Sequence, residues 1–217
     1  MIDILYQDNR IIVCVKPAGI LSTDEPGGLP DLLRKELGQQ NSCIRTVHRL
    51  DQVVGGVMVL ARSREAARRL SAQMQGHGFR KEYLAIVHGI PDLQEATLND
   101  LLIRDKATHT THVTDMPGKD VREAVLSYHV ISHREGLSLL KVNLYTGRTH
   151  QIRAQLSAHG WPIYGDHKYG AKSVCENGIA LWSYQLSFIH PQTEAPLTFY
   201  ADTPQCVPWT LFQGGNQ

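Results

Sequence analysis

Residues 47–63 read VHRLDQVVGGVMVLARS, and this stretch limits the fold more than any other. The apolar run at 57–61 has the length of a strand and reads as one buried in a sheet. His48, Arg49 and Asp51 stand at its mouth. Charged groups are rarely buried without a partner, so a carboxylate there has either a structural mate or a chemical task. The mouth of a rigid strand is a good support for a reactive side chain. Asp51 can serve as a general base, as a nucleophile at a sugar carbon or as a metal ligand. It can also simply pair with Arg49 or cap a turn.

Other elements follow from the same kind of signal. IIVCV, at 11–15, is a β-branched run that ends in the turn residues Pro17 and Gly19. LPDLLRKELG predicts a helix, with Pro30 near its start, leucines at 32, 33 and 37, and Gly38 as its stop. After the 57–61 strand, Ser63 is placed to cap a helix, with Glu65 in its first turn and Ala67, Leu70 and Met74 as the inner stripe. YLAIVHG, at 83–89, reads as a strand. AVLSYHVIS and LSLLKVNLY, joined by HREG, predict an antiparallel hairpin. In TGRTHQIRAQLSAHG, Thr149 is the expected cap, Ile152 and Leu156 form an i, i+4 pair, and Gly160 is the stop. IALWSYQLSFI and LTFYA are the closing strands. Residues 102–122 are polar and without a clear period, which predicts a long loop or irregular hairpin. Strands and helices do not alternate strictly, and hairpins stand beside crossover helices. The expected class is α+β, with a mixed, largely antiparallel sheet flanked by helices. A single catalytic domain over 1–212 is expected, with a disordered tail at 213–217.

The 217 residues suffice for a substantial core. No run is long enough to cross a membrane, and MIDILYQDNR lacks the pattern of a signal peptide, so a cytoplasmic location is expected. Cys14, Cys43, Cys175 and Cys206 have no C-x-x-C spacing, which argues against a disulfide framework or a cysteine zinc site. The net charge of +1 gives little support for nucleic-acid binding. The local distribution says more, because Arg62, Arg64, Arg68, Arg69, Arg80 and Lys81 face Glu65 as the one acid before Lys81. This is either a patch for phosphates or a solvated helix face.

Two further side chains stand out. Arg153 lies beside the apolar pair of its helix, and a guanidinium near a core needs an anion, for which Asp51 is a candidate. A surface arginine is the alternative. Tyr83 heads its strand just after Arg80 and Lys81, where an aromatic ring can stack on an exposed base or belong to the core. Of the eleven histidines, His109 and His112 have i, i+3 spacing, but their segment is polar and no H-E-x-x-H pattern exists, so no metal is expected. The absence of G-x-x-x-x-G-K-[ST], G-x-G-x-x-G and G-x-S-x-G patterns argues against nucleotide hydrolase, dehydrogenase and esterase chemistry.

HRLDQVVGGVMVLA resembles the signature of the RluA-type pseudouridine synthases. VKPAGI, KEYLAIVHG, TGRTHQIRAQLSAHGWPIYGDHKYG and LSFIHPQTEAPLTFYADTP resemble further blocks of that family, in the family's order and over nearly the whole chain. The resemblance implies an isomerase that converts uridine in ribosomal or transfer RNA to pseudouridine, in a central RNA-binding cleft. It implies that Asp51 is the essential carboxylate, that Arg153 pairs with it, and that Tyr83 stacks on the uracil and assists proton removal. Arg49 would fill the gap left by a flipped nucleotide and His48 would shape the loop. These two, with Arg80, Lys81, Arg148 and His150, form the expected RNA-binding set. Whether Asp51 attacks the sugar or removes a proton from it stays open.

No cofactor or metal is implied, RNA is the expected partner, and a monomer is expected. A non-catalytic RNA-binding protein would lack the Asp51, Tyr83 and Arg153 set, and a metal-dependent hydrolase would fail in a chelator. The family's usual Thr-Ser-Gly is replaced here by Val54-Gly55-Gly56, with two hydroxyls lost. Segment 103–122, with Arg104, Lys106, Lys119 and Arg122, is expected to be mobile and to close over RNA.

Overall fold

The structure is a computed structural model that describes residues 1–76, 78–176 and 178–213. Residues 214–217 of the expected tail lie outside the described residues. The elements in chain order are β1 (Asp3–Gln7), β2 (Ile11–Lys16), α1 (Leu29–Glu36), β3 (Arg45–Thr46), β4 (Gly55–Ala61) and α2 (Arg64–Gln75). They continue with β5 (Arg80–His88), β6 (Glu95–Asp105), β7 (Thr110–Thr114), β8 (Val121–Arg134), β9 (Leu137–Leu144), α3 (Gln151–Ala158), β10 (Leu181–Ile189) and β11 (Pro196–Tyr200). The chain divides into two compact units, one of residues 1–81 and 182–203, the other of residues 82–181 and those from Pro204 onward.

In the first unit the strand order is β1-β2-β4-β10, with β3 added to β4 and β11 to β10. β10 runs parallel to β4 through Trp182↔Gly55 and Ser183↔Gly56, and the other pairings of this unit are antiparallel. Every residue of β4 is buried, as its unbroken apolar sequence requires. Val57, Met58, Val59 and Leu60 have no exposed surface, and each such side chain stabilises the fold by roughly 1.5–3 kcal/mol. Ser63 caps α2 by accepting the Ala66 amide at 3.1 Å. The buried stripe of α2 is Ala66 and Leu70. Of the expected stripe Leu70 is buried, while Ala67 and Met74 are only half-buried and Ala66 takes the buried position in the first turn.

The second unit is an antiparallel sheet in the order β5-β9-β8-β6-β7. α3 packs on it, and Ala154 joins Leu102, Ala124 and Tyr169 in a buried cluster. The expected hairpin of β8 and β9 is present. Together the units give the expected α+β class with a mixed, largely antiparallel sheet. Among the described residues, no helix is long and apolar enough to cross a membrane.

Two local expectations are corrected. Residues 102–122 form the end of β6, all of β7 and the start of β8, with regular pairing from Leu101↔Thr114 to Asp105↔Thr110. Asp105 closes that turn by accepting the Ala107 and Thr108 amides and the Thr108 hydroxyl. The second correction is at α3. Thr149 does not cap it; the N-cap is His150, in the left-handed region at φ 54°, with no side-chain cap bond. Instead the Gln151 side chain folds back to accept the Arg148 amide at 3.0 Å and the Thr146 hydroxyl at 2.8 Å.

Candidate active site

Asp51 lies in the loop that enters β4. It is half-buried, and its carbonyl accepts the Val54 amide at 3.0 Å to close a tight turn. Two glycines follow because the packing leaves no choice. A Cβ at Gly55 would run into the Trp182 ring, and one at Gly56, where φ is +118°, would run into the Ser183 backbone.

The side chains around this loop have distinct roles. Arg49 is exposed. His48 is buried, and its Nε2 accepts the Val59 amide at 3.1 Å. That bond requires the Nδ1-protonated tautomer. The ring meets Phe79 edge-on at 5.5 Å. Burial, with Lys81 adding to it, pushes the His48 pKa down to about 3. His48 is thus a buried neutral ring bonded to the main chain of β4.

Lys16, from VKPAGI, has no exposed surface. Its Nζ donates to the carbonyls of Pro17, Ile20 and Gln52 at 2.9, 2.6 and 3.3 Å. Burial lowers its pKa to about 8, with Asp51 acting in the opposite direction. Lys81 is half-buried and also has a lowered pKa because of desolvation, whereas Arg80 is exposed. On α2, Arg68 and Arg69 both pair with Glu65 at 2.9 and 2.8 Å, so this part of the basic cluster is a solvated helix face.

The second unit carries Tyr83, Arg148, His150 and Arg153. Tyr83 is buried on β5, opposite Val142. Arg148 is exposed and its Nε donates to the Glu123 carbonyl at 2.9 Å. Arg153 is 5% exposed and Asp166 1%. Nε and Nη2 of Arg153 donate to the two carboxylate oxygens of Asp166 at 2.7 and 2.9 Å, a fork-on-fork pair that fixes the guanidinium plane. Its Cζ lies 4.9 Å from the centre of the Tyr169 ring. The Tyr169 hydroxyl accepts the Thr111 amide at 2.8 Å and lies 2.8 Å from His150 Nδ1. Burial raises the Tyr169 pKa, the Thr111 bond and Arg153 opposing it.

Asp166 and Tyr169 escaped the sequence reading, as did the role of Lys16. Their signal was present in YGDHKYG, where an acid stands between glycines 13 residues after the helix arginine.

Comparison with known proteins places the chain in a family. Residues 10–158 match the model of the RNA pseudouridylate synthase family. The chain is 32% identical over 214 residues to the uncharacterized RNA pseudouridine synthase YlyB of Bacillus subtilis, covering 94% of this chain and 70% of that protein. It is 30% identical over 225 residues to ribosomal large subunit pseudouridine synthase D of Zymomonas mobilis, with the same coverage of 94% and 70%. In fold it is similar to human RNA pseudouridylate synthase domain containing 1, with a TM-score of 0.80, 23% identity and coverage of 94% and 84%. The chain belongs to the RNA pseudouridylate synthase family, whose members are isomerases that act on RNA.

Proposed function

We propose that this enzyme isomerises specific uridines of ribosomal or transfer RNA, with Asp51 as the catalytic carboxylate. The observation that carries the reading is the H-R-L-D run at the mouth of β4, within the part of the chain that matches the family model. The name of the Zymomonas relative favours ribosomal RNA. A stacked base cannot reach a protein carboxylate, so the target nucleotide flips out at a cost of a few kcal/mol. Arg49, exposed and next but one to Asp51, fills the gap in the stack. Tyr83 stacks on the uracil, and Arg153 serves as the cationic partner of the carboxylate. Arg80, Lys81, Arg148 and His150 contribute to RNA binding.

The N-glycosidic bond breaks, the base rotates, and a carbon–carbon bond to the sugar forms in its place; the proton lost from that ring carbon is matched by one gained at the freed ring nitrogen. Charge developing at the sugar carbon suits a nearby carboxylate, as in glycoside cleavage. The product has the same composition as the substrate. No electron acceptor or phosphoryl donor enters the balance, so the reading needs no cofactor.

Asp51→Asn tests it. The variant keeps the shape of the side chain and the basic contacts, so RNA binding is expected to stay within about twofold while pseudouridine formation disappears. Normal pseudouridine formation by this variant overturns the assignment. Pseudouridine mapping in ribosomal and transfer RNA with and without the gene identifies the substrate, and activity that survives a chelator separates the enzyme from a metal-dependent one.

A further inference from the structure

Residues 16–22 and 50–52 are distant in sequence and laced together in the fold. Ser22 is 3% exposed. Its hydroxyl donates to the Leu50 carbonyl at 2.8 Å and accepts the Leu50 amide at 3.1 Å. The clamp is itself anchored, because Thr46 Oγ1 donates to the Ser22 carbonyl at 2.7 Å. On the other side of Asp51, the Gln52 carbonyl accepts the Gly19 amide at 2.7 Å and Lys16 Nζ at 3.3 Å. The Gln52 amide nitrogen, Nε2, donates back to the Gly19 carbonyl at 3.0 Å. Asp51 is thus the single residue between two clamped neighbours.

We propose that Ser22 is a positioning residue for the isomerisation: its hydroxyl fixes the main chain just before Asp51 and so sets where the carboxylate points. The inference rests on the reading of Asp51 as the catalytic group. A general turn-former would have no need to hold both polar groups of one residue. Here both are taken by one buried hydroxyl, and Leu50 is only 5% exposed, so water is a poor substitute. Without the hydroxyl the Leu50 amide and carbonyl are left buried and unsatisfied, and the segment shifts to recover partners. A reacting group displaced by about 1 Å slows chemistry by up to about 100-fold.

The experiment compares Ser22→Ala, Ser22→Cys and Ser22→Thr with the parent and with Asp51→Asn. The RNA is bulk ribosomal and transfer RNA from cells lacking the gene. Single-turnover pseudouridine formation, RNA affinity and amide hydrogen exchange are measured on each protein. Ser22→Ala is expected to slow the chemical step about 10–100-fold and to leave RNA affinity unchanged. Exchange at the Leu50 amide rises while the β4 amides keep their protection. Ser22→Thr, which keeps the hydroxyl, recovers most of the rate.

Two results are kept apart. If Asp51→Asn is inactive and Ser22→Ala turns over at the parent rate, the positioning role is overturned while Asp51 stands. If Asp51→Asn is active, the reading of Asp51 falls and the Ser22 role falls with it. Should Ser22→Ala not fold, Ser22→Cys decides: a parent rate with a deprotected Leu50 amide overturns the proposal. So does a uniform loss of protection with an unchanged rate per folded molecule, since that is a stability effect only.

Discussion

The Asp51 loop and the Arg153 helix are supported in different ways. The loop is held through the main chain of Leu50 and Gln52, by Ser22, Gly19 and Lys16. Arg153 is held at its side chain, by the carboxylate of Asp166 and the ring of Tyr169. Main-chain bonds of this kind each contribute about 0.5–1.5 kcal/mol, and several together fix a path. A buried ion pair adds less to net stability than its strength suggests, but breaking it leaves an uncompensated charge. One support is spread over many weak main-chain contacts, and the other acts on the side chain through charge and ring contacts.

The sharpest break in this contrast comes at Asp166. Asp166→Ala is expected to lower stability by about 3–5 kcal/mol, because it breaks the buried two-bond pair with Arg153. Urea unfolding measures this, and a cost below about 1 kcal/mol would show that the pair is not what holds the helix arginine. On the loop side, Gly55→Ser forces a Cβ against the Trp182 ring and should cost about 3 kcal/mol. Trp182→Leu in the same chain removes the obstructing ring atoms, so the double variant is expected to lose less than the sum of the singles. Strict additivity would argue against the clash.

A smaller effect is set by pH. His48 has a folded pKa of about 3 against an ordinary value of 6.5. Between these values the unfolded chain takes up a proton that the folded chain refuses. Stability is therefore full above 6.5 and falls as the pH drops towards 3, by about 2 kcal/mol at pH 5 from this group. His48→Phe lacks the titration, so its stability should change less between pH 7.5 and 5 than that of the parent; equal changes would contradict the buried neutral ring. The smallest expected effect lies outside both regions, at the N-cap of α2, where Ser63→Ala should cost about 1 kcal/mol and leave the rate per folded molecule as it was.

The parts of the molecule that sequence made legible are those whose pattern has a local cause. An unbroken apolar run such as β4 has few alternatives to burial, and Ser63 followed by Glu65 marks a helix start by itself. Between the two readings of the 102–122 segment, loop or irregular hairpin, the hairpin holds and its pairing is regular; local pattern does not show this, because β7 lies at the edge of its sheet, where polar residues suffice on one face. The segment's pairing is set by partners on β6 and β8 that no local period reveals. At Thr149 the local cap signal was overruled by the left-handed His150 and the folded-back Gln151. Asp51, Tyr83 and Arg153 were singled out by motif, whereas Asp166, Tyr169 and Ser22 act on other residues through space. Such supporting roles leave little trace in a linear spacing.

The close fit of Trp182 over Gly55 couples two positions far apart in sequence, because the ring already occupies the room that any side chain at 55 would need. A substitution that first added a side chain at 55 would pass through an overpacked intermediate, whereas one that first shrank the tryptophan would meet only a cavity. Changes at the two positions are thus tolerated in one order, with strand β10 changing before the loop.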